Sequence, residues 1–184
     1  IRCCRTQTLT SQKLLNKLLQ ILVITMDTLA TLLAFIGPSL AEALAVAGTA
    51  LGIRAAASVG LSVISDEPRM AGRVYALTFF PATQTLVYGF VYMYMMYNNL
   101  ATLQNISIPT GATLLAISIF VGLAEMVSAW MQGKVCADGI ALLIKTEGRI
   151  FGTAVILAAY EEFFGVLGLA FGYMMGSFAL GLSS

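Results

Sequence analysis

Long apolar stretches alternate with short polar breaks along most of the chain. Each stretch exceeds the roughly 20 residues that a helix needs to cross the hydrocarbon core of a bilayer. The four stretches are 28–64, 71–98, 109–144 and 150–181. This pattern predicts an all-α membrane protein with four transmembrane helices, arranged as two tandem repeated helical hairpins at 26–99 and 100–184.

Small residues recur at every fourth position in the first and third stretches. The two sets, each separated by 81 positions, are Gly48, Gly52 and Ala56 against Ala129, Gly133 and Ala137. Such a stripe allows helix backbones to approach closely in a membrane. General helix packing would explain one stripe. Two stripes at a constant offset predict a duplicated hairpin, with the striped helices packed into a tight ring and the other helices outside.

The composition narrows the class of protein. Of the 184 residues, 59% are hydrophobic and only 10% are charged, whereas a soluble domain has about 25% charged residues. A net charge of +1 gives no electrostatic basis for binding nucleic acid. The chain has no histidine, which excludes a Ser-His-Asp triad, and it has no phosphate-binding GxxxxGK[ST] motif. We therefore expect an integral membrane protein that does not bind ATP through any of these motifs.

Basic residues predict the orientation of the helices. Arg69, Arg73, Lys145 and Arg149 flank the first and third breaks, while the middle break has no Lys or Arg. Because cytoplasmic loops are enriched in these residues, loops 65–70 and 145–149 are expected on the cytoplasmic side of a multi-pass protein of the cell membrane.

Residues 1–25 form an N-terminal extension with four basic residues and fit this orientation poorly. Three interpretations are open: a signal sequence, an amphipathic interfacial helix, or a segment upstream of a natural start at Met26. Further along, Pro38 followed by Ser39–Glu42 has capping-box spacing, which predicts a kink or a restart of the first helix with Glu42 as part of the cap.

Four polar side chains are predicted to lie at one depth in the membrane. Glu162 follows Arg149 by 13 residues, Gln132 precedes Lys145 by 13, and Thr83 and Gln84 follow the first loop at a similar distance. At 1.5 Å per residue all four lie about 20 Å from the loops. Polar groups inside a membrane are expensive and usually functional. One carboxylate with neutral oxygens suits a small hard cation; the alternative is hydrogen bonding between helices.

Other features near this layer have secondary roles. Pro81 lacks an N–H and is expected to distort the helix, leaving the carbonyl of Leu77 without its helical partner. Glu161 is about 100° around the helix from Glu162 and is given a supporting role. Glu125, seven residues before Gln132, is expected to line a ring lumen or an outer vestibule.

These motifs together resemble a known family. The segments Phe80–Phe90 (FPATQTLVYGF), Met131–Val135 (MQGKV) and Glu162–Gly168 (EFFGVLG) are similar to the membrane rotor subunit of V/A-type ATPases, also called subunit K, the proteolipid or the c subunit. The similarity is greatest to the four-helix bacterial form that transports sodium, and it covers about residues 26–184.

The resemblance implies a ring of identical subunits in lipid, which turns against a stator membrane subunit while its cytoplasmic loops contact the central stalk. It also implies the roles of the site residues: Glu162 as the ion-binding carboxylate, Thr83, Gln84 and Gln132 as side-chain ligands, Phe80 as a backbone-carbonyl ligand, and Tyr88 as the residue that closes the site. The expected ion is Na⁺, because a full cage of oxygens favours sodium. The alternative is H⁺, because burial favours protonation of the carboxylate.

One departure from the family concerns Tyr88. The chain has one residue more between Gln84 and Tyr88 than members commonly have, which in a regular helix rotates Tyr88 by about 100°. A different function, a small four-helix antiporter for cationic drugs with one membrane glutamate, also remains open from the residues alone.

Overall fold

The computed structural model describes residues 2–103 and 105–181, with side chains from residue 12 onward. Within these residues the chain is helical, and four segments are long and apolar enough to cross a membrane. The α-helices are α1 (Arg2–Asp66), α2 (Ala71–Phe79), α3 (Phe90–Ala101), α4 (Ile108–Ala141) and α5 (Phe151–Ala179). The protein is therefore an all-α, multi-pass membrane protein, as the sequence predicts.

The second span is not one regular helix. It begins with a 3₁₀ turn at Pro68–Met70, continues through α2, and is interrupted by a 3₁₀ turn at Phe80–Ala82 and a π-helical segment at Gln84–Gly89 before α3. Both interruptions lie within a few residues of Pro81, which cannot donate a backbone hydrogen bond.

The expected restart at Pro38 is wrong. Helix α1 runs through Pro38 without interruption, and Ser39 therefore lies inside the helix, where its hydroxyl contacts that of Tyr97. Glu42 is likewise a mid-helix residue and not part of a cap. The same helix includes residues 12–25 of the N-terminal extension, whose side chains are exposed.

Helices α1 and α4 are in backbone contact along the two stripes of small residues. A Cβ on Gly133 would overlap the backbone of Gly52, and a Cβ on Gly48 would overlap the backbone of Met126. Further along, a Cβ on Gly122 would lie 2.9 Å from the Cα of Ala41. The predicted stripes therefore join the two hairpins through their first helices.

Two apolar clusters fill the bundle on either side of a polar layer. The cluster nearer the first and third loops includes Val74, Leu77, Ile140 and Leu143. The cluster nearer the middle loop includes Tyr92, Met96, Leu114 and Val121. Along the second span and along α4, the buried polar side chains Gln84, Glu125, Ser128 and Gln132 lie between the residues of one cluster and those of the other.

The first and third loops lie close to each other. Gly148, which has a φ of 80°, approaches the guanidinium of Arg73, so that a Cβ on Gly148 would lie 2.6 Å from the Arg73 Cζ. In the first loop, the Arg69 guanidinium donates to both oxygens of Glu67 at 2.8 and 2.9 Å. This hydrogen bonding lowers the pKa of the Glu67 carboxyl below its ordinary value.

Replacing Gly133 with Ala tests the backbone contact between α1 and α4. The added methyl group has no space, and we expect a loss of about 1–3 kcal/mol in stability from overpacking. Gly152→Ala is the matched control, because no atom of the described residues lies within 4 Å of its Cβ position. This variant should gain up to about 1 kcal/mol of helix propensity. Thermal unfolding of the two purified variants measures the difference; equal behaviour would contradict the contact.

Candidate functional site

The polar layer is organised around the irregular backbone that follows Pro81. The carbonyl of Leu77 loses its usual partner, as expected, and accepts a shorter-range bond from the N–H of Phe80. The carbonyl of Pro81 accepts a hydrogen bond of 2.9 Å from the Thr49 hydroxyl on α1. Side-chain hydroxyls thus satisfy backbone groups that the distorted helix leaves open, as hydrocarbon surroundings require.

Three of the predicted ligands lie together at this distortion. The Thr83 hydroxyl is 3.2 Å from the carbonyl oxygen of Phe80 and 3.1 Å from Oε1 of Gln84. The Gln84 side chain is completely buried. A backbone carbonyl, a hydroxyl and an amide oxygen therefore converge at one point of the second span.

Ser128 links this cluster to the second hairpin. The Gln84 amide donates from Nε2 to the Ser128 hydroxyl at 3.1 Å, and that hydroxyl donates to the backbone carbonyl of Glu161 at 2.6 Å. With its nitrogen held by Ser128, the amide directs Oε1 toward Thr83. Ser128 is not among the residues predicted from the sequence, although its position four residues before Gln132 places it on the same face of α4.

Gln132 is fully buried and contacts α5. Its Nε2 donates to the carbonyl of Ala158 at 3.0 Å, one turn before Glu162. Among the described residues, its Oε1 has no hydrogen-bond partner. A buried amide oxygen without a donor is costly, and it is the type of group that a bound cation satisfies.

Glu162 is half-buried and is held by Tyr88. The Tyr88 hydroxyl donates to Oε1 of Glu162 at 2.9 Å. The π-helical segment Gln84–Gly89 contains Tyr88, and a π turn accommodates one residue more than the corresponding α turn. The extra residue that the resemblance identifies is absorbed there, so that Tyr88 faces Glu162 instead of being rotated away.

The two other acidic residues near the layer behave differently from Glu162. Glu161 contributes its backbone carbonyl to Ser128, while the residue also borders two outer grooves beside Tyr160 and Phe164. Glu125 does not line a lumen or a vestibule: its side chain is fully buried between helices of one chain. The expectation for Glu125 is therefore wrong, because the glycines of α5 leave space for its carboxylate inside the bundle.

Four apolar spans in two hairpins, with a carboxylate and amides in the interior, define a membrane protein of the ion-transporting type. The family of ATP synthase C subunits matches residues 115–175. The chain is also 28% identical to V-type sodium ATPase subunit K of Enterococcus hirae over 128 residues, which cover 70% of this chain and 80% of that protein.

These matches confirm the resemblance. They make the chain similar to the c subunits of ATP synthases and V-type ATPases, and they support a c subunit of the V-type. It is a membrane rotor subunit, a proteolipid of the subunit K type, and not itself a hydrolytic enzyme. The c subunits of this family form oligomeric rings within ATPase complexes, consistent with the striped helices predicted to pack together.

Ser128→Ala tests the link between the hairpins. It leaves the buried Gln84 amide nitrogen without an acceptor, which costs about 1–3 kcal/mol, and it frees the amide to turn its oxygen away from Thr83. We expect lower stability of the ring. We also expect the affinity of purified rings for the cation, measured with radioactive sodium, to fall roughly fivefold or more, which corresponds to a loss of about 1 kcal/mol in binding free energy.

Ser118→Ala is the matched control for this variant. Ser118 is also fully buried and is hydrogen-bonded at 3.0 Å to the hydroxyl of Tyr92, but it lies more than two turns from Ser128. It should lose similar stability without a change in cation affinity. Equal affinities for the two variants would contradict a positioning role for Ser128.

Proposed function

We propose that each chain binds one Na⁺ at Glu162 and carries it across the membrane as the ring rotates. The observation that carries this proposal is the buried Oε1 of Gln132, which has no partner among the residues that the structure describes. The amide of Gln132 is bonded to Ala158, one turn of α5 before the carboxylate of Glu162 that Tyr88 holds. The proposed ligands are the side chains of Glu162, Gln132, Gln84 and Thr83 with the carbonyl of Phe80, while Tyr88 closes the site.

Charge balance supports a monovalent cation. The proposed ligand set contains one carboxylate, and its other members are neutral oxygens. A single bound positive charge makes the site neutral, which allows the subunit to face lipid without the cost of an exposed charge. A divalent cation would leave an uncompensated positive charge in the hydrocarbon.

Neutral oxygens favour Na⁺ over H⁺ in this site. A proton needs only the carboxylate and one acceptor, whereas Na⁺ replaces its hydration shell with several oxygens. Three neutral side chains and one carbonyl would be superfluous for a proton. The relative from Enterococcus hirae is by its name a subunit of a sodium ATPase, which also supports sodium.

Rotation follows from the same electrostatics. When the ring brings Glu162 to the stator membrane subunit, a fixed positive group there competes with Na⁺ for the carboxylate and releases the ion. The emptied site takes up an ion from the other side before it returns to lipid. Loops 65–70 and 145–149, adjacent to each other, are the surface that we expect the central-stalk subunits to contact on the cytoplasmic side.

The alternative of a drug antiporter has no comparable support. Such a transporter needs a chamber around its glutamate that admits an organic cation. Here the polar side chains about the layer are closely hydrogen-bonded, and the Gln84 and Gln132 side chains are fully buried. The family matches also favour the rotor subunit.

Glu162→Gln tests the proposed carrier. The amide is nearly isosteric and retains a partner for Tyr88, so the ring should assemble, while transport should fall below detection because the site has lost its charge. Glu161→Gln is the adjacent control: its hydrogen bond to Ser128 uses the backbone carbonyl, and transport should be largely retained. Sodium uptake into vesicles containing the whole complex is the measurement; robust pumping by Glu162→Gln would refute the assignment.

Carbodiimide labelling distinguishes the two candidate ions. The reagent modifies a protonated carboxyl, and labelling of intact rings is followed by mass spectrometry at several pH values. If the site carries sodium, Na⁺ should protect Glu162 from labelling at a fixed pH. If only raised pH protects Glu162, the ring carries protons, and Thr83, Gln84 and Gln132 are packing residues.

A further inference from the structure

Glu125 on α4 is a second buried carboxylate that the proposed ion site does not use. Its side chain has 0% exposure. Neither of its carboxylate oxygens has a hydrogen-bond partner among the described residues. It lies seven residues, or two helical turns, before Gln132 on nearly the same face of α4, on the side away from the first and third loops.

The carboxylate occupies space left by two glycines of α5. A Cβ on Gly165 would lie 2.8 Å from Oε2 of Glu125, and a Cβ on Gly168 would lie 3.0 Å from Oε1. The two oxygens therefore point between α4 and α5, where any side chain would displace them. This space between α4 and α5, bordered by Gly165 and Gly168, is called the chamber of Glu125 below.

A second carboxylate lies in the same layer. Glu42 of α1 has a buried Oε2 without a partner among the described residues. That oxygen lies against Gly89, as does the backbone carbonyl of Gln84. The neighbour of Glu42, Ala41, packs against Gly122, which is three residues before Glu125 on α4. Three carboxylate oxygens thus lack partners at one level of the part of the bundle that the structure describes.

Tyr88 separates this chamber from the site at Glu162. Its hydroxyl is bonded to Glu162, while the edge of its ring lies beside Gly165, 3.0 Å from the Cβ position there. The titratable groups that face the chamber from the packed helices are thus Glu42 from α1, Tyr88 from the π-helical segment, and Glu162 of α5 beyond the Tyr88 hydroxyl.

No basic side chain neutralises Glu125 in the described part of the chain. The one ion pair there joins Arg69 and Glu67 in the first loop. The Lys134 ammonium, on the same helix as Glu125, lies over the ring of Trp130. An isolated carboxylate is not stable as an anion in an apolar interior unless it binds a positive charge.

We propose that Glu125, with Glu42, binds a second small monovalent cation in each chain, either H⁺ or Na⁺. The shared chemistry is a single positive charge that compensates the fully buried carboxylate of Glu125. Glu42 contributes its buried Oε2 as a further oxygen, while this residue is only partly buried and its charge is not fully removed from solvent. The site is separate from the cation at Glu162 and does not depend on the identity of that ion. Each chain accordingly holds two exchangeable cation equivalents instead of one.

Cation equivalents per chain in intact, purified rings test the proposal. Radioactive sodium at saturation counts Na⁺. The protons released between neutral and alkaline pH, in sodium-free buffer, count bound H⁺, because an ordinary carboxyl has already lost its proton at neutral pH. Glu125→Gln rings should lose one equivalent relative to wild type while retaining the equivalent at Glu162. A lower Na⁺ count identifies sodium at Glu125; a lower proton count with an unchanged Na⁺ count identifies a proton. Equal counts for variant and wild type in both assays would overturn the proposal.

Two further variants keep the outcome decisive. If Glu125→Gln rings fail to assemble, the same counts are made on Glu42→Gln rings, which should tolerate the change because Glu42 is only partly buried. Loss of one cation equivalent per chain supports the paired site, and unchanged cation counts refute it. Glu162→Gln should lose a different equivalent, additively with Glu125→Gln. An unchanged count in Glu162→Gln alone would reject the carrier role of Glu162 without bearing on Glu125.

Discussion

Backbone contact between α1 and α4 determines where the other helices of this protein lie. Gly52 and Gly133 leave no space for a side chain between the two helices, and dispersion between closely packed backbones is a main source of helix association in lipid. With the first helices of both hairpins joined in this way, the polar face of α4 is directed toward the second span and α5. The backbone contact and the proposed ion site therefore depend on each other, because small residues bring the helices together and polar residues occupy the remaining interior.

The interior of the layer obeys the rule that hydrocarbon offers no water to satisfy polar groups. Most of its groups meet a protein partner, such as the Thr49 hydroxyl for the Pro81 carbonyl and the Ser128 hydroxyl for the Gln84 amide. The amide oxygen of Gln132 and the carboxylate oxygens of Glu125 and Glu42 have no partner among the described residues and are therefore informative, whereas the other buried atoms without partners there, at Thr78, Asn99 and Ser177, lie outside this layer. Oxygens without donors are the groups that a cation satisfies.

The distortion after Pro81 sets both the shape of the second span and the arrangement of its polar groups. The 3₁₀ turn brings the Phe80 carbonyl to the Thr83 hydroxyl. The π-helical segment then resets the phase of the helix, so that Tyr88 reaches Glu162 despite the additional residue. π-helical segments often occur at functional sites, because the inserted residue changes which side chains face inward.

Hydropathy is a one-dimensional property, so the residues alone were enough to predict an all-helical protein with four membrane-spanning segments. The duplication of the hairpin and the common membrane depth of Thr83, Gln84, Gln132 and Glu162 stay predictions. The continuity of α1 at Pro38, the linking role of Ser128, the burial of Glu125 against two glycines, and the direction of Tyr88 became visible only in the folded chain. The continuity of α1 depends on how the neighbouring helices hold it. The other three features, at Ser128, Glu125 and Tyr88, depend on the rotation of one helix relative to another. Periodicity within one segment leaves that rotation open, and contacts between distant segments fix it.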